Sequence, residues 1–315
     1  MTSILHFALC VNDGYVPYIS VTIKSIIENH IGNIVTIHVL SDYISSSKEK
    51  LLQEVVEGHD NVTLLIHIVD DSILRGLKDT WSIYTWYRVL LPKILSEDVH
   101  RVLYLDADTL VAGNISDLFS IDMTEKAIGG AIDILSFMPE TFERCMYEQE
   151  KQYICAGVML MNLDYWRANN LTDRIVKWGR ENDARIKFPD QDTINYICRD
   201  HKIVLPMRYG IIGAYFEKEV FLKQPYLSQL KECLHSPAII HYAGQAPWKI
   251  ELSYHPLHDE WEKYNNMLPH PAKRIYITKG WNFIKMKIWN ILHPNQIKRR
   301  VNKTELLKKI EQYDS

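Results

Sequence analysis

"VLYLDADTLV", Val102–Val111, is an aliphatic and aromatic run broken by two aspartates with one alanine between them. Residues i and i+2 of an extended segment share a face, so the stretch reads as a buried strand whose Asp106 and Asp108 aim together. Two carboxylates that close repel, and burying both without a partner raises a pKa or costs several kcal/mol. A cation or a shared proton must join them. A divalent ion meets that need best, because magnesium and manganese favour oxygen ligands and bridge to the oxygens of a bound phosphate or diphosphate. The blander reading is a pair of aspartates closing the turn after a strand, and the rest of the chain has to decide between the two.

Upstream, "SILHFALCV" reads as a first strand, closed by the turn-forming "NDG" at Asn12–Gly14. "YISVTIKSIIENH" sets Ile19, Ile23, Ile26 and Ile27 at helical spacing, with Pro17 near the start, where proline is tolerated. "IVTIHVLSD" is a second strand and "SSKEKLLQEVVEG" a helix, with Ser46 and Glu49 as a capping box and Gly58 as its stop. "VTLLIHIVD" is the third strand; "WSIYTWYRVLLPKIL" is expected to be helical up to Pro92 and to lead into "RVLYLDADTLV" as the fourth. Further strands are expected at "AIGGAID", "GVMLMNL" and "AIIHYAG", and helices at "DYWRANNLTDRIVKWGREN" and "DQDTINYICRD". This alternation predicts an α/β fold: a Rossmann-like, mostly parallel sheet flanked by helices. The aspartates then sit at the carboxyl ends of the strands, where open α/β sheets bind ligands.

A chain of 315 residues that is 47% hydrophobic can build a sizeable core. Its 36 Lys and Arg against 39 Asp and Glu, a net charge of −3, argue against a nucleic-acid binder. The basic residues are concentrated at the end, with eleven Lys and Arg against three Asp and Glu from Pro271 onward. The compositional break near Pro269–Pro271 divides the chain into a main domain, residues 1–268, and a basic tail, residues 269–315. Cys10, Cys145, Cys155, Cys198 and Cys233 include no CxxC pair, so neither a disulfide framework nor a structural zinc site is indicated. The N-terminus lacks the features of a signal peptide and no window approaches the ~18 apolar residues of a membrane span, so a cytoplasmic location is expected.

In the tail, "KGWNFIKMKIWNILHPNQIKRR" places Trp281, Ile284, Ile288 and Ile291 on one helical face, with Lys279, Lys285, Lys287, Lys298, Arg299 and Arg300 nearby. That pattern fits an interfacial helix on anionic lipid. The competing reading is a helix packed against the main domain.

"DADTL" also matches D-x-D-x-T, which resembles haloacid-dehalogenase-type phosphatases, whose first Asp is a phosphoryl-accepting nucleophile. There the motif ends the first strand of the core; here three strands precede it. The chain as a whole resembles glycosyltransferase family 8, the retaining GT-A enzymes that include glycogenin and the bacterial lipopolysaccharide α-galactosyl- and glucosyltransferases. The resemblance runs from about Ile4 to about Trp248. It rests on "FALCVNDGYVPYISVTIKSI", "YTWYRVLLP", "VLYLDADTLV", "GAIDI", "CAGVMLMNLDYWR", "FPDQDTIN" and "IIHYAGQAPW", in that order.

The resemblance implies a UDP-hexose donor, glucose or galactose, and a glycan or lipid-linked glycan acceptor such as lipopolysaccharide. It puts Cys10, Val11, Asn12, Asp13 and Tyr15 around uridine, with the ring of Tyr15 suited to stacking on the base. Arg88 corresponds to an arginine near the donor, where its fixed fork of donors suits hydroxyls, phosphate or a carboxylate. Asp106 and Asp108 become metal ligands, Asp106 and Ala107 lie close to the ribose, and His241 supplies the third protein ligand. Two oxygens and an imidazole suit manganese, with magnesium as the alternative. Asp133, Cys155, Ala156, Gly157, Asp190 and Gln191 would surround the sugar. Asp133 and Asp190 would accept bonds from its hydroxyls, and Gln191 lies where the family's candidate for the retaining step is found.

Two departures stand out. The family usually has Asn or Ser where this chain has Cys155. Its usual ending, Gly-x-x-Lys-Pro-Trp, appears as "GQAPWK" from Gly244, one residue short and without the lysine that grips the diphosphate. Lys249 is the candidate replacement. Were it to fail, the chain would be a catalytically weak UDP-sugar-binding protein. The expectation is therefore a UDP-sugar-dependent retaining hexosyltransferase, attached peripherally to the inner membrane through its tail.

Overall fold

The computed structural model describes residues 4–80, 82–252, 254–278, 284–285 and 303–313. Its strands, in chain order, are β1 (Leu5–Cys10), β2 (Val35–Ser41), β3 (Val62–Ile68), β4 (Arg101–Leu105), β5 (Thr109–Val111), β6 (Ile128–Ala131), β7 (Val158–Asn162), β8 (Lys202–Leu205), β9 (Ile211–Ile212) and β10 (Ile239–His241). Seven of them form one sheet in the order β3-β2-β1-β4-β7-β6-β8. All neighbours are parallel except around β7, which runs antiparallel to β4 and β6. The other three form a small sheet, β5-β10-β9.

Side-chain alternation gives the large sheet two cores, one on each face. In β1, Leu5, Phe7 and Leu9 enter one cluster and Ala8 and Cys10 the other. α1 (Val16–Asn29) starts with Pro17 in its first turn, where the missing N–H costs nothing, and buries Val16, Ile19, Ile23, Ile26 and Ile27 in the first cluster. α2 (Ser46–Val56) adds Leu52 and Val55 to it. The opposite cluster takes Trp86, Tyr87 and Leu91, and also Leu163, Trp166, Leu171, Ile175 and Ile194 from later helices.

Several sequence expectations change. "RVLYLDADTLV" is not one strand: β4 ends at Leu105, a turn follows, and β5 leaves for the small sheet. The segment before it is a 3-10 helix over Ile83–Leu90, followed by α3 (Leu91–Ile94), which runs through Pro92 because proline is tolerated in a first turn. The helix cap of α2 is Ser45, whose hydroxyl donates to Asp13 Oδ1 at 2.8 Å, so Ser46 and Glu49 form no capping box. Past β6 lies α4 (Pro139–Cys145). The long helix expected after β7 breaks at Asn170, whose left-handed backbone (φ 50°) separates α5 (Leu163–Ala168) from α6 (Leu171–Glu181). α7 (Pro189–Ile197) follows. The strands β8 and β9 and the helices α4, α8 (Tyr226–His235) and α9 (His258–Asn265) carry no reading above; β8 and β9 are too short for a visible period.

In the tail, a last helix, Lys303–Glu311, buries Leu306 and Ile310 in the main core. Ile284 and Lys285 are exposed. The other residues of the expected interfacial helix, from Lys279 to Arg300, lie outside the described residues.

Candidate active site

The reversed direction of β7 builds the site. Because β7 runs against β4, with Leu105 opposite Val158, the residues entering β7 lie beside the residues leaving β4. Asp106 N donates to Gly157 O at 2.8 Å across that junction. β10, antiparallel to β5, pairs His241 with Thr109, and Tyr242 N donates to Asp108 O at 2.9 Å. Two chain segments far apart in sequence, the β4–β5 turn and the end of β10, thus bring Asp106, Asp108 and His241 to one point beside the entry to β7.

There His241 Nε2 lies 3.3 Å from Asp108 Oδ1 and 3.7 Å from Asp106 Oδ2. One ligand atom from each residue falls within 4.8 Å of the others. Two carboxylate oxygens and an imidazole nitrogen are a donor set suited to a divalent ion. Gly157 clears the space: a Cβ there would collide with the His241 ring and lie 2.6 Å from Asp106 Oδ2. The Asp108 side chain is 24% exposed and the His241 side chain 7%, so the cluster opens outward through its carboxylates. Burial works against charge on both groups. Cys155 and Asp108 override it at His241, holding the imidazole well above its ordinary pKa, while His241 and Lys249 hold Asp108 below the usual carboxylate range. The residues fit a divalent cation that would displace the proton between them.

Asp106 is held from the other side. Its Oδ1 accepts from Tyr104 OH at 2.6 Å and Arg88 Nη2 at 2.7 Å, which leaves Oδ2 facing His241. Arg88 is 2% exposed and also meets Asp190 Oδ2 at 3.1 Å, Thr85 O at 2.7 Å and Ala156 O. Its guanidinium stacks over the Tyr104 ring at 4.2 Å. Burial opposes the charge of Arg88, but Asp106 and Asp190 outweigh it, and the ion remains charged. Arg88 therefore ties the metal-side carboxylate to α7.

The far wall comes from the end of β6 and the start of α7. Asp133 Oδ1 accepts from Leu135 N at 2.9 Å and Oδ2 from Gln191 Nε2 at 3.3 Å. Gln191 Oε1 accepts from Ala156 N at 2.9 Å, a donor only a carbonyl oxygen can take, which fixes the amide's orientation. Burial raises the pKa of both Asp133 and Asp190. Cys155 Sγ lies 3.4 Å from His241 Nδ1, and burial raises its thiol pKa.

The loop after β1 is more heavily engaged than expected. Asn12 Oδ1 caps the following turn by accepting from Tyr15 N at 3.1 Å, and Asp13 Oδ1 accepts from Ser45 N and Oγ, both at 2.8 Å. The Asp13 side chain braces the loop against the start of α2. Cys10 and Val11 are buried at the end of β1, and Ala107 is part-exposed in the turn between Asp106 and Asp108. Tyr15 packs edge-on against Trp248, which stacks on Tyr18 at 4.3 Å. Gly244 is exposed with φ +71°, a left-handed turn that leads to Lys249.

Two features had no counterpart in the sequence reading. Tyr104 stands two residues before Asp106, on the same face of the strand, and that period-two relation was its available signal. Asp192 is fully buried: its carboxylate accepts from Arg144, Tyr153 OH at 2.7 Å, and the backbone N–H groups of Lys187 and Phe188. It anchors the start of α7, and with it Asp190 and Gln191. Among the described residues, one further group, His258, Asp259 and Glu262, also has metal-ligand spacing, but Glu262 is engaged by Arg274 at 3.0 Å.

The family model "Glycosyl transferase family 8" matches residues 6–251. A lipopolysaccharide 1,2-glucosyltransferase of Escherichia coli is 26% identical over 250 residues, covering 78% of this chain and 73% of the relative. The general stress protein A of Bacillus subtilis (strain 168) is 25% identical over 272 residues, covering 83% and 93%. The crystal structure of the galactosyltransferase LgtC, in complex with donor and acceptor sugar analogues, superposes with a TM-score of 0.76 at 20% identity, over 85% of this chain and 98% of that one.

Proposed function

The chain belongs to glycosyltransferase family 8, with the GT-A fold, and from that premise we propose that it moves glucose or galactose from a UDP-sugar to a lipopolysaccharide or similar glycan acceptor. The observation that carries this reading is the meeting of Asp106, Asp108 and His241 at the carboxyl rim of the sheet, braced by Arg88. The phosphatase reading of "DADTL" gives way, because the motif ends β4, with β1, β2 and β3 before it, and the family match spans most of the chain.

Asp106 Oδ2, Asp108 and His241 Nε2 would hold manganese or magnesium, which supplies Lewis-acid stabilisation to the charge gathering on a departing diphosphate. Arg88 and Tyr104 fix the Asp106 carboxylate beforehand, so little reorganisation is left for the reacting complex. Asp133 and Asp190 would accept from sugar hydroxyls, and Gln191, whose amide is held by Ala156 N and Asp133, would serve the retaining step. Lys249 acts on Asp108 electrostatically, which supports its standing in for the missing diphosphate lysine. Family membership implies retention at the anomeric carbon. The departing diphosphate can itself receive the acceptor's proton.

The basic tail supports peripheral attachment to an anionic membrane on the cytoplasmic side. Among the described residues no helix is long and apolar enough to cross a membrane. The function is tested by incubating the full chain and Mn2+ with UDP-glucose, with UDP-galactose and with a generic phosphate ester. UDP release from one sugar nucleotide, lost on Asp108→Asn, is the expected result; phosphate-ester cleavage without sugar-nucleotide turnover would overturn the reading.

A further inference from the structure

The two nitrogens of His241 have different neighbours. Nε2 faces Asp108 Oδ1 at 3.3 Å and Asp106 Oδ2 at 3.7 Å. Nδ1 faces the sulfur of Cys155 at 3.4 Å, and both side chains are buried. A ligand nitrogen must offer its lone pair, so a metal held through Nε2 leaves the ring's proton on Nδ1. Nδ1–H is then the donor, and the lone pairs of the sulfur accept it. An imidazole with its proton on Nδ1 presents the Nε2 lone pair to a metal once that nitrogen gives up its own proton.

We propose that Cys155 is the positioning residue for His241. Its sulfur accepts Nδ1–H, fixes the ring's orientation and protonation pattern, and turns Nε2 toward the two carboxylates. Orienting partners of this kind stand behind most metal-binding histidines, usually as a carboxylate or a carbonyl; here a thiol takes the place. Gly157 completes the seat, since any side chain there would push the ring off the sulfur. A serine hydroxyl could accept in the same sense, although its shorter bond to carbon leaves it farther from Nδ1. Alanine cannot.

The inference rests on reading Asp106, Asp108 and His241 as metal ligands, and its test separates the two. Full-length wild type, Cys155→Ala and Cys155→Ser are compared by Mn2+ binding, read from the EPR signal of the free ion, and by the 1H–15N signal of His241 Nδ1–H in metal-free protein. Near-UV circular dichroism verifies that each variant keeps its packing. Wild type should show a solvent-protected Nδ1–H signal. Cys155→Ala should lose it and bind Mn2+ about 10- to 100-fold more weakly, while Cys155→Ser keeps the signal and stays within about threefold. An alanine variant that keeps the protected signal, or that binds Mn2+ as tightly as a wild type that does bind it, overturns the proposal. A wild type that binds no Mn2+ sinks the metal reading instead, and the Nδ1–H signal alone then decides the role of Cys155.

Discussion

Asp106 shows how much one side chain can carry. One carboxylate oxygen is saturated by Tyr104 and Arg88, and the other is left for the cluster with His241 and Asp108. The arrangement depends on nothing standing at position 157. Gly157→Ala would place a Cβ against the His241 ring and 2.6 Å from Asp106 Oδ2, and displacing a reacting constellation by about 1 Å costs on the order of 100-fold in rate. We predict a loss of that size in sugar-nucleotide turnover with an unchanged circular dichroism spectrum; full activity would mean that the glycine is not needed for the site. At this scale the sequence is partly transparent. The one-residue spacing of Asp106 and Asp108 is visible by itself, and His241 and Arg88 become legible through the resemblance. The contact of Cys155 with His241 spans 86 positions and follows from strand pairing, which leaves no local trace. The resemblance puts Asp13 beside the nucleoside, but its contacts with Ser45 depend on where α2 begins.

Elements were legible where periodicity ran long and obscure where it broke. β1, β2, β3 and α1 follow their patterns closely, whereas the β4–β5 turn, the 3-10 run Ile83–Leu90 and the break at Asn170 depend on tertiary contacts. The parallel strands β1, β2 and β3 also carry a row of imidazoles that alternation alone does not reveal. His6 Nδ1 meets His38 Nε2 at 3.1 Å, and His38 Nδ1 meets His67 Nε2 at 3.0 Å. Burial, then the neighbouring imidazoles, lower the pKa of His38 from the ordinary 6.5 to about 3, and burial lowers those of His6 and His67. The unfolded chain therefore takes up these protons at higher pH than the folded one. The row's contribution to stability is intact above pH 6.5 and is lost as the pH falls toward about 3. Urea midpoints should drop between pH 7 and pH 5, a range in which ordinary carboxylates stay ionised, and should drop less for His38→Gln. Equal slopes in the two proteins would remove the row as the cause.

For the whole molecule, the two cores of the large sheet and the placement of the site at its carboxyl rim were readable from strand–helix alternation, but the reversed direction of β7 was not. No strand announces its direction in its composition; here the antiparallel entry through Cys155–Gly157 is what closes the site. The tail divides its tasks: Leu306 and Ile310 pack into the main core, and the basic stretch before them is proposed to meet lipid. A variant with Lys285, Lys287, Lys298, Arg299 and Arg300 changed to Glu keeps the packed helix and reverses that charge. Each basic residue near an anionic surface contributes about 1 kcal/mol, so the natural chain should co-sediment with anionic vesicles and the variant should stay in the supernatant. Equal partitioning would refute a lipid role for these charges.

The central claim is that Asp106, Asp108 and His241 together hold the divalent ion on which the nucleotide binds. Calorimetric titration of UDP into the full chain, with Mn2+ and with a chelator, for wild type and for Asp108→Asn, addresses it directly. The account predicts saturable UDP binding by wild type that needs Mn2+ and is largely lost in the variant. UDP binding of equal strength with the chelator present, or undiminished in Asp108→Asn, would contradict it.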